Sequence, residues 1–383
     1  MKKIKAVHIH TDLKFIGETS IFEGPYFNNQ IFYLGENKFY KGSFDGRLIN
    51  IKRNYFGLKK IIRICNNSDI VVLYDLDPIK SAIANSVSKN IKIAWRFFGY
   101  ELYKRNKELY VSRESYETLS EDGNSDLFED SLTFSFLSSL KPINLFFDSS
   151  FNKAVSRIDF FLCLSRMEYS ELSEEWPKLP QCIEIPFWGE IGDSKPEELW
   201  EMKEPTIMLG NNKSIYNNHL DVIRELNKHS KASAYDFIIP FNYGEEGEYT
   251  ETVRLKVKER GMYTLLEDFL PYKKYNEIIR QSSALIINSF RQLGMATIFM
   301  AIRGGVKVYL NPKNITYDWL RSRGFKVFDI NSIGVDLGNH DVKLSVAEIE
   351  CNIQALCNFK ESYPKAEFQR NLLEKALDGV DSV

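Results

Sequence analysis

No stretch of this 383-residue chain approaches the roughly 20 consecutive apolar residues of a membrane-spanning helix, so a transmembrane anchor is not expected. Net charge is just as slight. Lys and Arg number 50 against 52 Asp and Glu, a balance of −2 that gives no electrostatic footprint for bulk nucleic-acid binding. Cysteine is sparse: Cys65, Cys163, Cys182, Cys351 and Cys357 are scattered, odd in number and mostly inside apolar runs. They suit buried thiols of a cytoplasmic protein and fit neither a disulfide framework nor a zinc site. Cys351 and Cys357 fall on one predicted helix at a spacing wrong for a CxxC motif. The basic start Met1-Lys2-Lys3-Ile4-Lys5 has no long apolar region after it, so no signal peptide is expected. Internal repeats are lacking, and the one low-complexity tail is Asp378 to Val383.

What is present is material for two cores. Apolar residues make up 44% of the chain and aromatics 14%, and the length predicts two domains. Strand and helix patterns alternate. Ile4–His10 reads as a short strand with period-2 character, followed by strand candidates at Gln30–Gly35 and Leu48–Lys52. Leu58–Ile64 is amphipathic helix, Asp69–Tyr74 a buried strand, Pro78 a helix start and Ile91–Phe98 the next strand. An acidic patch, Glu121–Asp126, and apolar, helical-looking pieces over Leu132–Phe147 follow. Gly, Pro and charge then cluster over Gly189–Glu198, marking a linker near 191–200. A second alternation opens at Thr206–Gly210. It runs through a helix Asn217–His229, strands at Tyr235–Pro240, Tyr263–Phe269, Ala284–Ile287, Val306–Leu310 and Lys326–Ile330, and closing helices after Ser345.

Two such alternations predict an α/β protein with two parallel, doubly wound sheets, and ligands at the carboxyl ends of their strands. The expected arrangement is GT-B: two Rossmann-like domains facing a cleft, with C-terminal helices returning to the first. The domains are expected at 1–190 and 201–350, with helices over 351–383.

The most informative stretch is Asn288-Ser289-Phe290-Arg291-Gln292-Leu293-Gly294-Met295-Ala296-Thr297, running on to Arg303-Gly304-Gly305-Val306. It reads as strand, tight loop, helix, Gly-Gly stop and strand. Gly294 supplies backbone freedom where the helix begins, and free N–H groups at a positive helix end suit a phosphate. Arg291 adds a forked charge that matches phosphate oxygens. An ordinary strand–helix turn with a solvated Arg is the plainer alternative. The opening of the second half, Met208-Leu209-Gly210-Asn211-Asn212-Lys213-Ser214-Ile215-Tyr216-Asn217-Asn218-His219, runs from a buried strand through a polar loop into a helix capped by Ser214 or Asn217. Its Asn and Ser side chains suit phosphate or sugar hydroxyls, and His219 suits a pyrophosphate. Simple capping chemistry is again the alternative.

Together these residues resemble the dTDP-4-acetamido-4,6-dideoxygalactose (TDP-N-acetylfucosamine):lipid II transferases of enterobacterial common antigen synthesis. Leu209-Gly210-Asn211-Asn212 with Asn217 and His219 is similar to that family's L/V-G-N-S-G-D-x-S-N-x-H. Arg291-Gln292-Leu293-Gly294-Met295-Ala296-Thr297 is similar to its R-Q-Q-G-I-G-T, and Trp95-Arg96-Phe97-Phe98-Gly99-Tyr100-Glu101-Leu102-Tyr103 to its W-x-x-W-G-x-D-L-Y. The resemblance implies a metal-independent GT-B glycosyltransferase that moves an amino-dideoxy sugar from a dTDP-sugar to an undecaprenyl-diphosphate-linked saccharide. That chemistry belongs to O-antigen, common antigen or capsule assembly, peripheral at the inner face of the inner membrane. It implies no cofactor and no nucleic acid. The implied donor-site residues are Gly210, Asn211, Asn212, Asn217, His219, Arg291, Gln292, Gly294, Met295, Ala296 and Thr297. There are departures. Asn212-Lys213-Ser214 replaces S-G-D and exchanges an acid for a cation, Glu101 replaces an Asp, and Ala296 replaces a Gly. They bear on the donor sugar more than on the chemistry.

Candidate bases come from the first half. Asp12, just past the first strand, aligns with a family Ser-Asp, and Glu101 and His10 are the other candidates. Asp12 and Glu101 also suit plain turn or cap positions. Asp75-Leu76-Asp77 after a buried strand has the form of a Mg²⁺ or Mn²⁺ site, but Pro78 at once makes Asp77 a helix cap. Lys59, Lys60 and Arg63, with Tyr55, Phe56, Ile61 and Ile62, form a basic amphipathic patch suited to an anionic leaflet or simply to solvent. Two competing classes are a GT-B-shaped epimerase or nucleotide-sugar hydrolase, and a non-catalytic nucleotide-sugar-binding scaffold.

Overall fold

The computed structural model describes residues 3–35, 48–118, 147–187 and 189–377; the acidic patch Glu121–Asp126, and Leu132–Phe147 apart from Phe147 itself, lie outside the described residues. The chain divides into two compact units. Unit 1 draws on Met1–Glu101, Leu127–Trp188 and Ser362–Val383, and unit 2 on Leu102–Asp126 and Gly189–Glu361.

Unit 1 is built on a seven-stranded sheet in the order β3-β2-β1-β4-β5-β6-β7. Its strands are β1 (Ile4–His10), β2 (Phe27–Leu34), β3 (Leu48–Ile51), β4 (Ile70–Tyr74), β5 (Lys92–Arg96), β6 (Phe160–Cys163) and β7 (Gln181–Glu184). All neighbours are parallel. The expected period-2 character of β1 is not what burial follows. Lys5 is exposed and every other β1 residue is buried, because β1 lies between β2 and β4 with both faces covered. The helix Lys365–Leu377 returns to this unit. Gln369 Nε2 donates to the carbonyls of Ile21 (2.8 Å) and Glu23 (3.0 Å), and Phe368 meets Phe22 edge-on.

Unit 2 holds a six-stranded sheet in the order β10-β9-β8-β11-β12-β13. The strands are β8 (Glu204–Leu209), β9 (Asp236–Pro240), β10 (Tyr263–Leu266), β11 (Ser282–Ile287), β12 (Lys307–Leu310) and β13 (Phe328–Asp329), again all parallel. The expected strand Lys326–Ile330 shrinks to β13, since Asp329 caps a following 3₁₀ turn. The expected helix Asn217–His229 is also shorter. A 3₁₀ turn over Ile215–Asn217 precedes the helix His219–Leu226. The cap is neither Ser214 nor Asn217 but Asn218, whose backbone is left-handed at φ 48°. Asn218 makes no side-chain cap bond because its amide is used elsewhere: Oδ1 accepts from Ser112 N–H at 2.8 Å, and Nδ2 donates to Asn288 O at 2.9 Å.

Each sheet reverses its winding once, between β1 and β4 in unit 1 and between β8 and β11 in unit 2. The carboxyl ends of those strand pairs are where a doubly wound sheet opens a crevice. Leu209 and Ile287 therefore deliver the Gly210 and Asn288 loops side by side, and His10 and Tyr74 deliver Thr11-Asp12 and Asp75. Among the described residues no helix is long and apolar enough to cross a membrane.

Candidate active site

In unit 2 the site is assembled by two loops and one helix start. Gly210 leaves β8 at φ 76°, and a Cβ there would stand 2.5 Å from His219 Nε2. Only glycine fits both the backbone and the ring. Asn217, fully buried, folds the loop on itself: its Oδ1 accepts from Asn211 N–H (3.3 Å), and its Nδ2 donates to Asn212 O (3.0 Å) and Asn212 Oδ1 (2.9 Å). Lys213 is ion-paired to Glu246.

His219 opens its helix and is fully buried. The Tyr249 hydroxyl accepts from its backbone N–H (2.9 Å) and lies 2.8 Å from its Nδ1. Burial holds the ring's pKa down to about 3, so it is neutral. Its Nε2, aimed at Gly210, is buried with no hydrogen-bond partner among the described residues. The same holds for Asn211 Oδ1 and the Tyr216 hydroxyl.

The second loop follows β11. Ser289 Oγ accepts from Arg291 N–H at 3.3 Å, and Arg291 Nη1 donates to Gln292 O at 3.0 Å. The guanidinium lies over the rings of Tyr216 (4.4 Å) and Tyr103 (5.0 Å), which fix its plane. Gly294, at φ 70°, caps the helix Met295–Arg303 without a side-chain bond. The first-turn N–H groups of Met295, Ala296 and Thr297 have no intrahelical acceptor. Asn211 packs across this helix start, its Cγ 3.1 Å from where a Gly294 Cβ would be. Gln292 is half-buried, Ala296 exposed, and Thr297 buried with its hydroxyl bonded to Tyr275. All eleven residues expected at the donor site thus lie on these two loops and the helices they start. Sequence reasoning missed Tyr216, Tyr103, Tyr249, Asn218, Asn288 and Ser112. Tyr103, Tyr216, Asn218 and Asn288 stood inside the quoted stretches, but nothing in them distinguished these residues.

In unit 1 the expected bases part company. Asp12 sits just past β1 with its side chain 39% exposed; its carboxylate accepts from Lys14 N–H (3.0 Å) and ion-pairs Lys14 Nζ (2.9 Å). His10 is fully buried, stacked on Tyr74 at 3.9 Å and bonded through Nε2 to Thr19 Oγ1 (3.0 Å), and burial keeps it neutral. Glu101 is also buried and accepts from Trp95 Nε1 (3.2 Å) and Phe98 N–H (3.3 Å). Burial, then the charge of Asp75, raises its pKa to about 7.

Asp75 has a left-handed backbone at φ 67°. It pairs with the buried Lys80, which also donates to Asp77 Oδ2 (3.0 Å) and Thr11 Oγ1 (2.6 Å), while Asp77 caps the helix Pro78–Ser86. An ammonium therefore occupies the place a metal would take between the two carboxylates. Among the described residues no cluster of His, Cys, Asp or Glu has the form of a metal site.

Comparison with known proteins bears on the fold and the class of protein. A family model described as 4-alpha-L-fucosyltransferase, glycosyl transferase group 56, matches residues 192–372. A comparison with curated protein sequences finds no match. Among solved structures, HepE of Anabaena in complex with UDP and glucose is similar at TM-score 0.61 and 10% identity, over 98% of this chain and 100% of that one. An α-glucosyltransferase (AGT) in complex with UDP is similar at TM-score 0.58 and 10% identity, over 97% and 99%. The α,α-trehalose 6-phosphate synthase of Burkholderia multivorans is similar at TM-score 0.54 and 9% identity, over 99% of each chain. The fold is GT-B. With the group 56 match, it makes this chain a glycosyltransferase.

Proposed function

We propose that this protein transfers an amino-dideoxy sugar from a dTDP-sugar to an undecaprenyl-diphosphate-linked saccharide in bacterial surface-polysaccharide assembly, as its resemblance to the common-antigen transferases implies. The observation that carries the donor half of this reading is a set of buried polar atoms left without partners among the described residues of the two loops. Asn211 packs against the Gly294 helix start, Tyr216 lies under Arg291, and His219 Nε2 faces Gly210. Buried polar groups are nearly always bonded, and a diphosphate with its sugar supplies both acceptors and donors. The first-turn N–H groups and Arg291 stabilise the negative charge that grows on the leaving dTDP. The protein supplies that charge itself, so transfer needs no divalent metal.

Unit 1 takes the acceptor, and Asp12 is the base that removes the acceptor hydroxyl proton. Two observations support Asp12 over its rivals: it alone of the three is partly exposed, and it follows β1 at the winding reversal. The basic face of the helix Tyr55–Cys65 supports a peripheral position on an anionic leaflet. Phe56, 78% exposed, stands beside exposed Lys59, Lys60 and Arg63.

Calorimetric titration with dTDP, UDP, GDP and CMP tests the donor class. dTDP is expected to bind at least tenfold more tightly than the others, and a preference for UDP or GDP would overturn the dTDP assignment. Donor turnover measured with and without lipid-linked saccharide then separates a transferase from a hydrolase or epimerase. The transferase requires the acceptor, and a scaffold turns nothing over. Assay in excess EDTA tests the metal statement, with unchanged rates expected.

A further inference from the structure

Unit 1 carries a pair of thiols that the transfer chemistry does not use. Cys163 ends β6 and Cys182 lies in β7, an edge strand of the sheet. The strands are parallel, with Cys163 opposite Glu184 and Phe161 opposite Cys182. Cys182 is two residues before Glu184, so the pleat sends both cysteine side chains to the same face. Their Sγ atoms are 3.4 Å apart, both as free thiols. Cys163 is buried under the sheet, while Cys182, on the edge strand, is partly exposed.

We propose that Cys163 and Cys182 form an oxidative modification site, at which hydroperoxide converts the two thiols into an intramolecular disulfide. The surroundings divide the labour between them. The Cys163 thiol donating toward Cys182 holds the Cys182 pKa below the ordinary thiol range; burial opposes this, and the Arg166 guanidinium adds to it. Burial pushes Cys163 the other way. Arg166 is itself fixed over β7, its backbone N–H and Nε donating to the two Glu184 oxygens at 3.1 and 3.2 Å. Cys182 is thus the more accessible and more acidic sulfur, and Cys163 the buried partner already in contact.

The steps balance. The Cys182 thiolate attacks one peroxide oxygen, the O–O bond breaks, and hydroxide leaves and takes up a proton to become water. Cys182 is now a sulfenic acid. The Cys163 sulfur attacks the Cys182 sulfur, the S–O bond breaks, and the hydroxyl departs with the Cys163 proton as a second water. Two thiols have been oxidised by two electrons and one peroxide reduced. Closing the bond needs the sulfurs to approach from 3.4 Å to the ~2.05 Å of a disulfide. The two cysteines are diagonal neighbours, whose Cα atoms on adjacent strands lie roughly 7–8 Å apart, so the edge strand β7 must shift toward β6 as the bond forms.

The test uses the full-length protein treated with hydrogen peroxide, denatured in maleimide and digested. Three of its five thiols are expected to take the label, with a non-reduced peptide joining Cys163 to Cys182 and the label restored at both by dithiothreitol. Cys163→Ser is expected to stop at a Cys182 sulfenic acid that dimedone traps. Cys182→Ser is expected to leave Cys163 reduced, since burial keeps peroxide from it. Labelling of all five thiols after treatment, a bridge to Cys351 or Cys357, or linkage between molecules on a non-reducing gel would overturn the proposal.

Discussion

Asn218 and Asn288 hold each other by reciprocal hydrogen bonds: Asn218 Nδ2 donates to Asn288 O at 2.9 Å, and Asn288 Nδ2 donates to Asn218 O at 3.3 Å. Asn218 Oδ1 also accepts from Ser112 N–H, and Asn288 Oδ1 accepts from Asn311 Nδ2 at 2.8 Å. This buried ladder ties together the segments after β8, β11 and β12, the loops that present His219 and Arg291. It fixes the spacing between those loops.

Asn218→Gly should therefore separate positioning from backbone strain. Glycine accepts the left-handed φ of 48° but supplies no amide. Two buried partners, Ser112 N–H and Asn288 O, are then left unbonded, at about 1–3 kcal/mol each before any water enters. The expected result is a lowered urea midpoint and a dTDP Kd raised about tenfold. Asn218→Asp keeps the bond from Ser112 and should lose less stability than Asn218→Gly. Equal donor affinity in wild type and Asn218→Gly would mean that the ladder serves stability alone.

Gly210→Ala should be more damaging than its single added carbon suggests. The new Cβ would lie 2.5 Å from His219 Nε2 at a backbone φ of 76°. A left-handed alanine costs roughly 1–2 kcal/mol, and the displaced ring adds an overpacking cost of about 1–3 kcal/mol. Thermal denaturation should show a lower midpoint, and dTDP binding should be lost, because His219 is fixed from its other side by Tyr249.

Much of this was legible in the sequence because both sheets are parallel. Central strands such as Ile70–Tyr74 read as continuous apolar runs, and the loops that follow them carry the polar residues of the site. The Gly294 helix start and the Gly210 loop announced themselves by glycine at positions of positive φ. What remained hidden depends on contacts distant in sequence. Nothing in Trp95–Tyr103 says that Leu102 onward packs with unit 2, so that Tyr103 meets Arg291. Nothing around Lys80 says that its ammonium sits between Asp75 and Asp77. His10 has the appearance of a strand-end base, and contacts from Tyr74 and Thr19 make it a core residue.

Arg291→Ala should weaken dTDP binding by about 1.5–3 kcal/mol, the worth of a charge-assisted phosphate contact, and leave thymidine binding unchanged. Arg291→Lys should recover only part of this. An ammonium keeps the charge but loses the planar stack on Tyr216 and Tyr103 and the fork to the oxygens. Titration of each variant with dTDP and thymidine checks both statements. Unchanged dTDP affinity in Arg291→Ala would remove Arg291 from the diphosphate site.

Glu101 gives stability a recognisable pH dependence. Burial, then the charge of Asp75, raises its pKa from 4.5 to about 7. The folded protein thus binds a proton over this window that the unfolded chain has released. The contribution is fully present below pH 4.5 and is lost as pH rises through about 7. Glu101→Gln, neutral at every pH, should gain stability relative to wild type across that window, by about 3 kcal/mol in order of magnitude. Urea unfolding at several pH values from 5 to 8 checks it. Parallel curves for the two proteins would show that Glu101 titrates normally.

The acceptor hydroxyl attacks poorly unless its proton leaves as the bond forms, and one positioned carboxylate typically contributes about 10²–10⁴-fold. Asp12 has the exposure for that task, whereas His10 and Glu101 are enclosed by Tyr74, Thr19 and Trp95. Asp12 also caps the following 3₁₀ turn through Lys14 N–H. Asp12→Asn is therefore the informative substitution, because asparagine caps about as well as aspartate but cannot take a proton. The expected outcome is a kcat lowered at least ~100-fold at saturating donor, with the dTDP Kd and the thermal midpoint unchanged. Asp12→Ala should lower kcat equally and also cost roughly 1 kcal/mol of stability for the lost cap. Glu101→Gln should act on the acceptor KM rather than on kcat, since a buried carboxyl beside Trp95 and Phe98 can shape the acceptor pocket without touching the hydroxyl. Near-normal kcat in Asp12→Asn, with lipid-linked acceptor present, would take the base away from β1. Near-normal rates in Asp12→Asn, Glu101→Gln and a His10 variant together would mean that no side chain of this edge removes the proton.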